Sequence, residues 1–443
     1  MSYPPRVDVT LAKREIAKVT AGLDAIDSKV KLLDDIGWSR DVEERFFANK
    51  AAKLPDPTYE VDRDALNREI ASLQALAKTI DGEGEIVAWL KATIGSYVDR
   101  ARLLLASGTK ELGAISNDVF GGARSTFSGL GKTNIELARH LKERLAVHGW
   151  DAAKESEDEP LDANRMAGFL EERIAKRKAP IKVVIDPKCT SKAIAGSKRV
   201  RVRPDATFTA SEAEGLYRHE VETHAYSALN GAAQDAAPFL KSGGPRSTRT
   251  QEGLAVFSEL YHHALAVPRL ERLALRVEMV AMAEDGASFL DVFRFLVTEK
   301  GVAERDAYLD VSRIFRGAVL EGGAPFTKDA CYLAGLVEVH TFLGTFVRAG
   351  FRDECEMLVC GRFALSDIDA LIELRAMGVL SRPRWRPRWL REWGTLLPFF
   401  AFTSFVDGLD RSRLETQYGK ALALANAATP RKRASSRPSA PST

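Results

Sequence analysis

The sequence predicts a mainly α-helical protein of the α+β class, with one small β element before the helix that carries its most informative motif. Apolar residues recur at helical spacing, with breaks, from residue 11 to about residue 424, whereas only two short segments have strand character. Hydrophobic residues make up 45% of the 443 residues and charged residues 28%, which predicts a packed globular core. The length allows two or three domains.

The first 150 residues are predicted to form an N-terminal helical region. Pro55 and Pro57 separate its first helical stretch from the second. An acidic segment over 153–160, which has few apolar residues, predicts an exposed linker after this region. The spacing of apolar residues predicts helices over 11–36, 63–80, 84–107 and 134–148.

A small β element is predicted at the start of a second region, which spans residues 160–428. The segments IKVVID (181–186) and KRVRVR (198–203) are short and rich in β-branched residues, so we expect paired strands or a hairpin. Helical periodicity returns from residue 211. The last segment, 429–443, is basic and has no large apolar residue, so a disordered tail is expected.

Composition indicates the cellular compartment of the protein and the kinds of partner it is expected to bind. Lys plus Arg is 64 and Asp plus Glu is 61, so a nucleic-acid partner is not expected. The four cysteines form no CxxC pair, which favours buried thiols in a reducing compartment. No apolar signal segment opens the chain, and the apolar stretch 396–406 is too short to span a membrane, so it is expected to be buried. These observations predict a cytoplasmic protein with no membrane partner.

The most informative motif consists of His219, Glu220 and His224, in the pattern HExxxH. In the shorter zinc motif HExxH, two histidines four residues apart share one face of a helix and the glutamate activates water. Five residues leave two side chains ~140° apart on a regular helix, compared with ~40° for four. Either the spacing is accidental, or a wider helical turn brings both histidines to one metal ion.

A third metal ligand is predicted at Glu252. Its local alternative is a helix-capping role, because Thr248 or Thr250 is a good N-cap and a first-turn glutamate is favoured by the helix dipole. The neighbouring Gly253 favours the ligand role. A glycine inside a helix costs ~1 kcal/mol relative to alanine, and it is explained if another helix or a ligand approaches closely.

These two segments resemble the QEGLA-motif family. The similarity rests on HEVETH (219–224) and RTQEGLA (249–255), with weaker matches over 108–111, 313–317 and 326–333. Bacterial members are described as flavohemoglobin expression-modulating proteins, and animal relatives are zinc-dependent tyrosine carboxypeptidases that trim tubulin. The resemblance implies a helical zinc-peptidase catalytic domain with one Zn²⁺ per chain. It implies His219, His224 and Glu252 as ligands and Glu220 as the catalytic base.

Two histidines and one carboxylate leave a fourth zinc position for water, as in catalytic sites. Glu220 is expected to take the proton of that water and to pass it to the leaving amine. Glu222 is expected to be a solvated helix charge, with a hydrogen bond to a ligand histidine as the alternative.

A carboxypeptidase must also hold the C-terminal carboxylate of its substrate. Arg316 and Lys328 are candidates, because their cationic groups bind carboxylates. Tyr332 is a candidate donor to the developing oxyanion. The alternative for each residue is structural: a surface ion pair for the cations and a core position for the tyrosine.

The sequence therefore predicts a zinc-dependent metallopeptidase, and specifically a carboxypeptidase that acts on protein or peptide C-termini. An aminopeptidase or endopeptidase on the same site is the first alternative, and a non-enzymatic regulatory binding protein is the second. Glu220 argues against the second, since a structural metal site needs no base.

Residues 382–391, from Arg382 to Arg391, interleave Arg, Trp and Pro. They are predicted to contact acidic protein tails, with stacking on single-stranded nucleic acid, or packing of the tryptophans onto the core, as the alternatives.

Overall fold

The computed structural model describes residues 8–25, 31–127, 131–146, 159–187, 189, 191–196 and 198–406. The described chain is mostly helical and contains one small sheet, which confirms the predicted fold class. A first compact unit ends at Trp393 and a second begins at Gly394. Residues 153–158 of the predicted linker and the predicted tail over 429–443 lie outside the described residues. The predicted region boundaries near 150, 160 and 428 stay predictions.

The helices of the N-terminal part follow the predicted apolar spacing closely. The predicted helices over 63–80, 84–107 and 134–148 are all present, and each ends within two residues of its predicted limit. The single helix predicted over 11–36 was only partly correct. The observed helix begins two residues early, where the Asp8 carboxylate accepts a hydrogen bond from the backbone N–H of Thr10, and it ends at Asp24. A separate short helix, Leu32–Asp35, lies near the end of the predicted range. The helices are α1 (Val9–Asp24), α2 (Leu32–Asp35), α3 (Arg40–Ala48), α4 (Arg63–Lys78), α5 (Glu85–Leu105), α6 (Glu111–Phe120) and α7 (Asn134–Ala146).

A three-stranded sheet follows helix α8 (Ala163–Lys176). Its strands are β1 (Lys182–Ile185), β2 (Ala193–Ala195) and β3 (Arg199–Val202), in the order β1-β3-β2. The two predicted strands do pair, but β1 and β3 run parallel, so the hairpin alternative was wrong. The segment between them forms β2, which pairs antiparallel to β3 and was not predicted. Three residues are too few to show the alternation by which strands are identified.

Helices and helical turns form the rest of the described chain. The short connections between them bring distant segments of the sequence together. The α-helices are α9 (Ala210–Leu216), α10 (Tyr226–Ala232), α11 (Thr248–Tyr261), α12 (Val267–Glu284), α13 (Phe289–Arg294), α14 (Glu304–Phe315), α15 (Cys331–Arg348), α16 (Arg352–Met357), α17 (Ile368–Ala376), α18 (Arg388–Arg391) and α19 (Trp393–Val406). Two π-helices span Tyr217–Ala225 and Phe295–Glu299, and 3₁₀ turns span Pro238–Lys241, Pro245–Ser247, Thr327–Ala330 and Leu365–Asp367.

Helices α11 and α15 pack at very short range through glycines. A Cβ atom on Gly253 would lie 2.1 Å from the carbonyl carbon of Gly335, and one on Gly335 would lie 2.1 Å from the carbonyl oxygen of Arg249. No side chain fits at either position. The close helix approach expected at Gly253 is confirmed, and it sets the position of the neighbouring Glu252.

Two apolar helical segments bear on the expected absence of a membrane span. Residues Thr327–Arg348 are long and apolar enough, by length and composition, to cross a membrane, and 61% of the apolar 18-residue window within them is buried inside the protein. The apolar stretch 396–406 lies in α19. Leu396 and Phe400 are buried there whereas Phe402 is 70% exposed, so the expected burial is only partly correct.

All four cysteines are buried and none forms a disulfide, which confirms the predicted buried thiols. Burial raises the pKa of Cys331, Cys355 and Cys360 to about 12. These thiols therefore stay protonated near neutral pH and are weak nucleophiles.

Replacing Gly253 with alanine is expected to destabilise the protein by about 1–3 kcal/mol, because the new methyl group forces α11 and α15 apart. Gly168→Ala is the matched control. Gly168 lies inside α8, and a Cβ there meets no atom within 4 Å, so this change is expected to stabilise the protein by about 0.5–1 kcal/mol. Urea denaturation followed by circular dichroism measures both effects. Equal stability of Gly253→Ala and the wild type would contradict the packing described here.

Candidate metal centre

The predicted wide helical turn is present at the HExxxH motif. Helix α9 starts with a capping box, in which Thr209 and Glu212 each bond the backbone of the other. The helix widens into the π-helix Tyr217–Ala225 and continues as α10. Because a π turn holds more residues than an α turn, the five-residue spacing returns His224 to the side of His219. The two imidazole centroids are 4.7 Å apart.

Glu252 on α11 completes a group of three potential metal ligands, which we call the triad: His219, His224 and Glu252. The Oε2 atom of Glu252 lies 3.4 Å from Nε2 of His219 and 3.5 Å from Nε2 of His224. Helix α11 begins at Thr248 with Ser247 as its N-cap, and no side chain caps it. The alternative in which Thr248 or Thr250 caps this helix is not observed: the Thr250 hydroxyl accepts a hydrogen bond from Leu365 N–H instead.

The donor set of the triad, and both separations measured from Glu252, fit a zinc ion. A tetrahedral ion with bonds of ~2.0–2.1 Å separates its ligand atoms by ~3.3–3.4 Å, close to the two distances from Glu252. Oε2 of Glu252 is buried and has no hydrogen-bond partner among the described residues. A buried carboxylate oxygen without a partner is costly, and a cation between the three ligand atoms would remove that cost.

A second carboxylate orients His219 from behind. The Nδ1 atom of His219 lies 2.6 Å from Oε1 of Glu259, and Arg269 contacts the same carboxylate. Since a carboxylate only accepts hydrogen bonds, Nδ1 carries the proton and Nε2 is left to face the triad. Sequence reasoning missed Glu259. Its signal was the seven-residue spacing from Glu252, which places both side chains on one face of α11.

The electrostatics of the triad favour a cation. Burial alone would lower the pKa of His219, but the nearby carboxylates of Glu252 and Glu259 raise it to about 10. The His219 imidazole therefore binds a proton tightly on the side that faces Glu252. A metal ion at the same position would compete with that proton.

The structure places Lys328 and Tyr332 beside the triad. The ammonium group of Lys328 lies 2.9 Å from Oε1 of Glu252, the oxygen that points away from the two imidazoles. It also lies 3.4 Å from the Tyr332 hydroxyl, and the Tyr332 ring stacks near His219 with the centroids 6.5 Å apart. Lys328 therefore already balances the charge of a triad carboxylate. The roles of both residues in substrate binding stay predictions.

Arg316 lies in a different environment, at the end of α14. Its guanidinium carbon lies 5.3 Å from the centre of the Phe326 ring, and its buried Nε has no hydrogen-bond partner among the described residues. Burial and the nearby Arg313 lower the pKa of Arg316 to about 10. Among the residues that the structure describes, no direct contact joins Arg316 to the triad, so its predicted role in substrate binding also stays a prediction.

One carboxylate oxygen of Glu220 is bound to the small sheet. Its Oε2 accepts a hydrogen bond of 2.7 Å from the backbone N–H of Ala195, on the edge strand β2. This bond fixes the side chain next to the first triad histidine without making it part of the triad. Strand β2 therefore holds the predicted catalytic base in place, and this short strand was the element that the sequence did not reveal.

Glu222 is fully buried, so the expected solvated charge was wrong. Its carboxylate bonds Arg218 at 2.5 Å, Arg391 at 3.3 Å and the backbone N–H of Arg388 at 3.2 Å. These bonds attach the segment 382–391 to the π-helix. Within that segment Trp389 is fully buried, as the core-packing alternative predicted. The predicted contact with acidic protein tails stays a prediction.

Fold and site together define a mainly helical protein with two histidines and one glutamate around a common buried point. The family model described as microtubule-associated tyrosine carboxypeptidase matches residues 44–408. The match covers most of the chain, and the protein therefore belongs to this family. The family assignment that the HExxxH and QEGLA motifs indicated is thereby confirmed.

Two further comparisons add no functional information. No curated protein gives a significant match to the chain. A solved structure described as "the putative lipoprotein from Colwellia psychrerythraea" is 12% identical, with a TM-score of 0.39, and the alignment covers 76% of this chain and 69% of that one. At that TM-score the likeness supports no conclusion about fold or function.

Asp329 anchors the turn that carries Lys328, and its loss is expected to destabilise the protein. Its fully buried carboxylate receives two hydrogen bonds from Arg313, at 2.5 and 2.9 Å. Although burial opposes ionisation, Arg313 and Arg276 hold the pKa of Asp329 well below its usual value. Asp329→Asn leaves the partly buried Arg313 without its counter-charge, which is expected to cost about 2–4 kcal/mol in urea denaturation at pH 7.

The pH dependence follows from the sign of that shift. A lowered pKa in the folded state stabilises the protein above the ordinary carboxylate pKa, and this contribution disappears as the pH falls. The stability difference between the wild type and Asp329→Asn is therefore expected to be constant near neutral pH and to shrink below about pH 4. A difference that does not change down to pH 3 would contradict the ionised Asp329–Arg313 pair.

Proposed function

We propose that the protein is a zinc-dependent carboxypeptidase that removes residues from the C-termini of proteins or peptides. Membership of the tyrosine carboxypeptidase family supports the carboxypeptidase activity. The observation that carries the zinc proposal is the buried Oε2 of Glu252, which lacks a hydrogen bond and lies 3.4 and 3.5 Å from two imidazole nitrogens.

The residues that would hold the zinc are His219, His224 and Glu252. A bound zinc ion would supply Lewis-acid polarisation of the scissile carbonyl and would lower the pKa of water. The protein's part is to keep the three ligands aligned. Glu259 sets the tautomer of His219, and Lys328 holds the second oxygen of Glu252, so that both ligands are oriented before a metal binds.

Glu220 is the proposed general base. Its carboxylate is anchored on the N–H of Ala195, next to His219 in the chain, where it can accept the proton of the attacking water and pass it to the leaving amine. Tyr332 is the proposed donor to the developing oxyanion. Burial and the charge of Glu252 raise the pKa of Tyr332, so its hydroxyl stays protonated and available as a donor.

The proposed substrate is a free C-terminus, and the family description suggests tyrosine as the first residue to test. The test is to incubate the zinc-loaded protein with peptides that differ only in their last residue, and to identify the products by mass spectrometry. Release of single C-terminal residues is the expected result. Release of N-terminal residues, or internal cleavage alone, would replace the proposal with an aminopeptidase or an endopeptidase. Binding without cleavage would favour a regulatory protein.

Two glutamine substitutions separate catalysis from metal binding. Glu220→Gln keeps the size of the side chain but cannot accept a proton, so turnover is expected to fall by ~10²–10⁴-fold. Its zinc content and thermal stability should match the wild type. Glu252→Gln removes a charged ligand and is expected to lose zinc as well as activity.

Peptide turnover and elemental analysis of both variants check these expectations. Near wild-type turnover in Glu220→Gln would show that another residue is the base. Zinc loss from Glu220→Gln as complete as that from Glu252→Gln would make Glu220 a ligand, and the role of Glu252 would then have to be reassigned.

A further inference from the structure

Arg362 is a cation beside the triad that belongs to no sequence motif. It lies in the loop between α16 and α17, more than 130 residues after the HExxxH motif. Its Nη2 donates a hydrogen bond of 3.1 Å to the backbone carbonyl oxygen of His224. The guanidinium group therefore sits against the π-helix at the second triad histidine.

Three other cations at or near the site are already paired with carboxylates. Lys328 pairs with Glu252, Arg269 with Glu259, and Arg313 with Asp329. Within the described part of the chain, Arg362 forms no ion pair, and its buried Nε has no hydrogen-bond partner. Its charge interacts favourably with Glu252 and Glu220, although burial lowers its pKa. Arg362 is therefore a positively charged group in contact with the backbone of a triad histidine, and no carboxylate of the described residues is paired with it.

The backbone around Arg362 is held firmly. Its N–H donates a hydrogen bond of 2.8 Å to the carbonyl oxygen of Leu240. A Cβ atom on Gly243 would lie 2.5 Å from the carbonyl oxygen of Arg362, and one on Gly361 would lie 2.7 Å from the Leu240 side chain. The loop packs closely against its neighbours on both sides. The backbone that carries Arg362 therefore has a fixed position before a ligand binds.

We propose that Arg362 binds the C-terminal carboxylate of the substrate and so restricts the site to the last residue of a chain. In a peptide, the terminal carboxylate lies one residue beyond the scissile carbonyl. The group that binds it must therefore be a cationic side chain close to the triad, with N–H donors that are not already paired. Arg362 meets both conditions. Arg316 also has an unpaired Nε, but among the described residues it does not contact the triad, and Lys328 is already bound to Glu252.

This inference rests on the proposed carboxypeptidase function, and its test keeps the two apart. The wild type, Arg362→Met and Arg362→Lys are compared on one short peptide ending in tyrosine, prepared as the free acid and as the C-terminal amide. The ratio of kcat/KM for acid and amide is the readout. It cancels any general loss of activity, because both peptides meet the same metal and base. Zinc content is measured for every variant.

The wild type is expected to prefer the free acid strongly. Arg362→Met should lose about 10²-fold of kcat/KM on the acid, the loss typical of a charge-assisted hydrogen-bonded pair, and little on the amide. Arg362→Lys should recover part of the preference, since it keeps the charge but not the forked geometry. Equal losses on the acid and the amide together with lost zinc would show a merely structural role and overturn the inference.

A binding measurement tests the role of Arg362 without requiring catalytic turnover. In a Glu220→Gln background, calorimetry is expected to show that Arg362→Met weakens binding of the free acid by about 10²-fold and leaves the amide unchanged. If Arg316→Met removes the preference for the acid and Arg362→Met does not, the carboxylate receptor is Arg316 and this inference is wrong. If the wild type cleaves the acid and the amide equally, the protein is a peptidase, but it does not recognise the terminal carboxylate and the inference about Arg362 is wrong. If the wild type cleaves neither peptide and binds neither, the proposed function and this inference fall together.

Discussion

The site depends on one local constraint, the widened helical turn between Tyr217 and Ala225. A regular helix would direct His219 and His224 to different faces, and no single ion could then reach both. π-Helical turns are rare and need support from their surroundings. Here the Thr223 hydroxyl bonds the carbonyl oxygen of Arg218 five residues earlier, and buried Glu222 ties the turn to the segment that follows Pro387. A hydrogen bond within the turn and contacts with a distant segment therefore both stabilise it.

Buried charge around the site is arranged as alternating carboxylates and cations. Glu252 has Lys328, Glu259 has Arg269, and Asp329 has Arg313. An unpaired buried charge is strongly unfavourable, so each pair allows a charged group to remain in the interior and also fixes its orientation. Two charged groups at the site stand outside these pairs. Oε2 of Glu252 has no hydrogen-bond partner among the described residues, and we assign it to the metal. Arg362 forms no ion pair within the described part of the chain, and we assign it to the substrate carboxylate.

Much of this organisation could be predicted from local sequence. Apolar spacing located α4, α5 and α7, the extra residue in HExxxH predicted the wide turn, and Gly253 predicted a close helix contact. The features that were missed depend on contacts between distant segments. Neither Arg362 nor Ala195 lies in a motif, yet the fold brings the first to His224 and the second to Glu220. Glu222 has the local pattern of an exposed helix charge, and only the later segment 382–391 buries it.

The central claim is that a π turn brings two histidines five residues apart, together with Glu252, onto one zinc ion. Anomalous diffraction at the zinc absorption edge, from crystals of the zinc-loaded protein, tests this claim most directly. The account predicts one strong peak with Nε2 of both histidines and Oε2 of Glu252 at ~2.0–2.2 Å, and an intact π turn. A peak elsewhere, or a regular α-helix through the motif with the imidazoles on different faces, would contradict it.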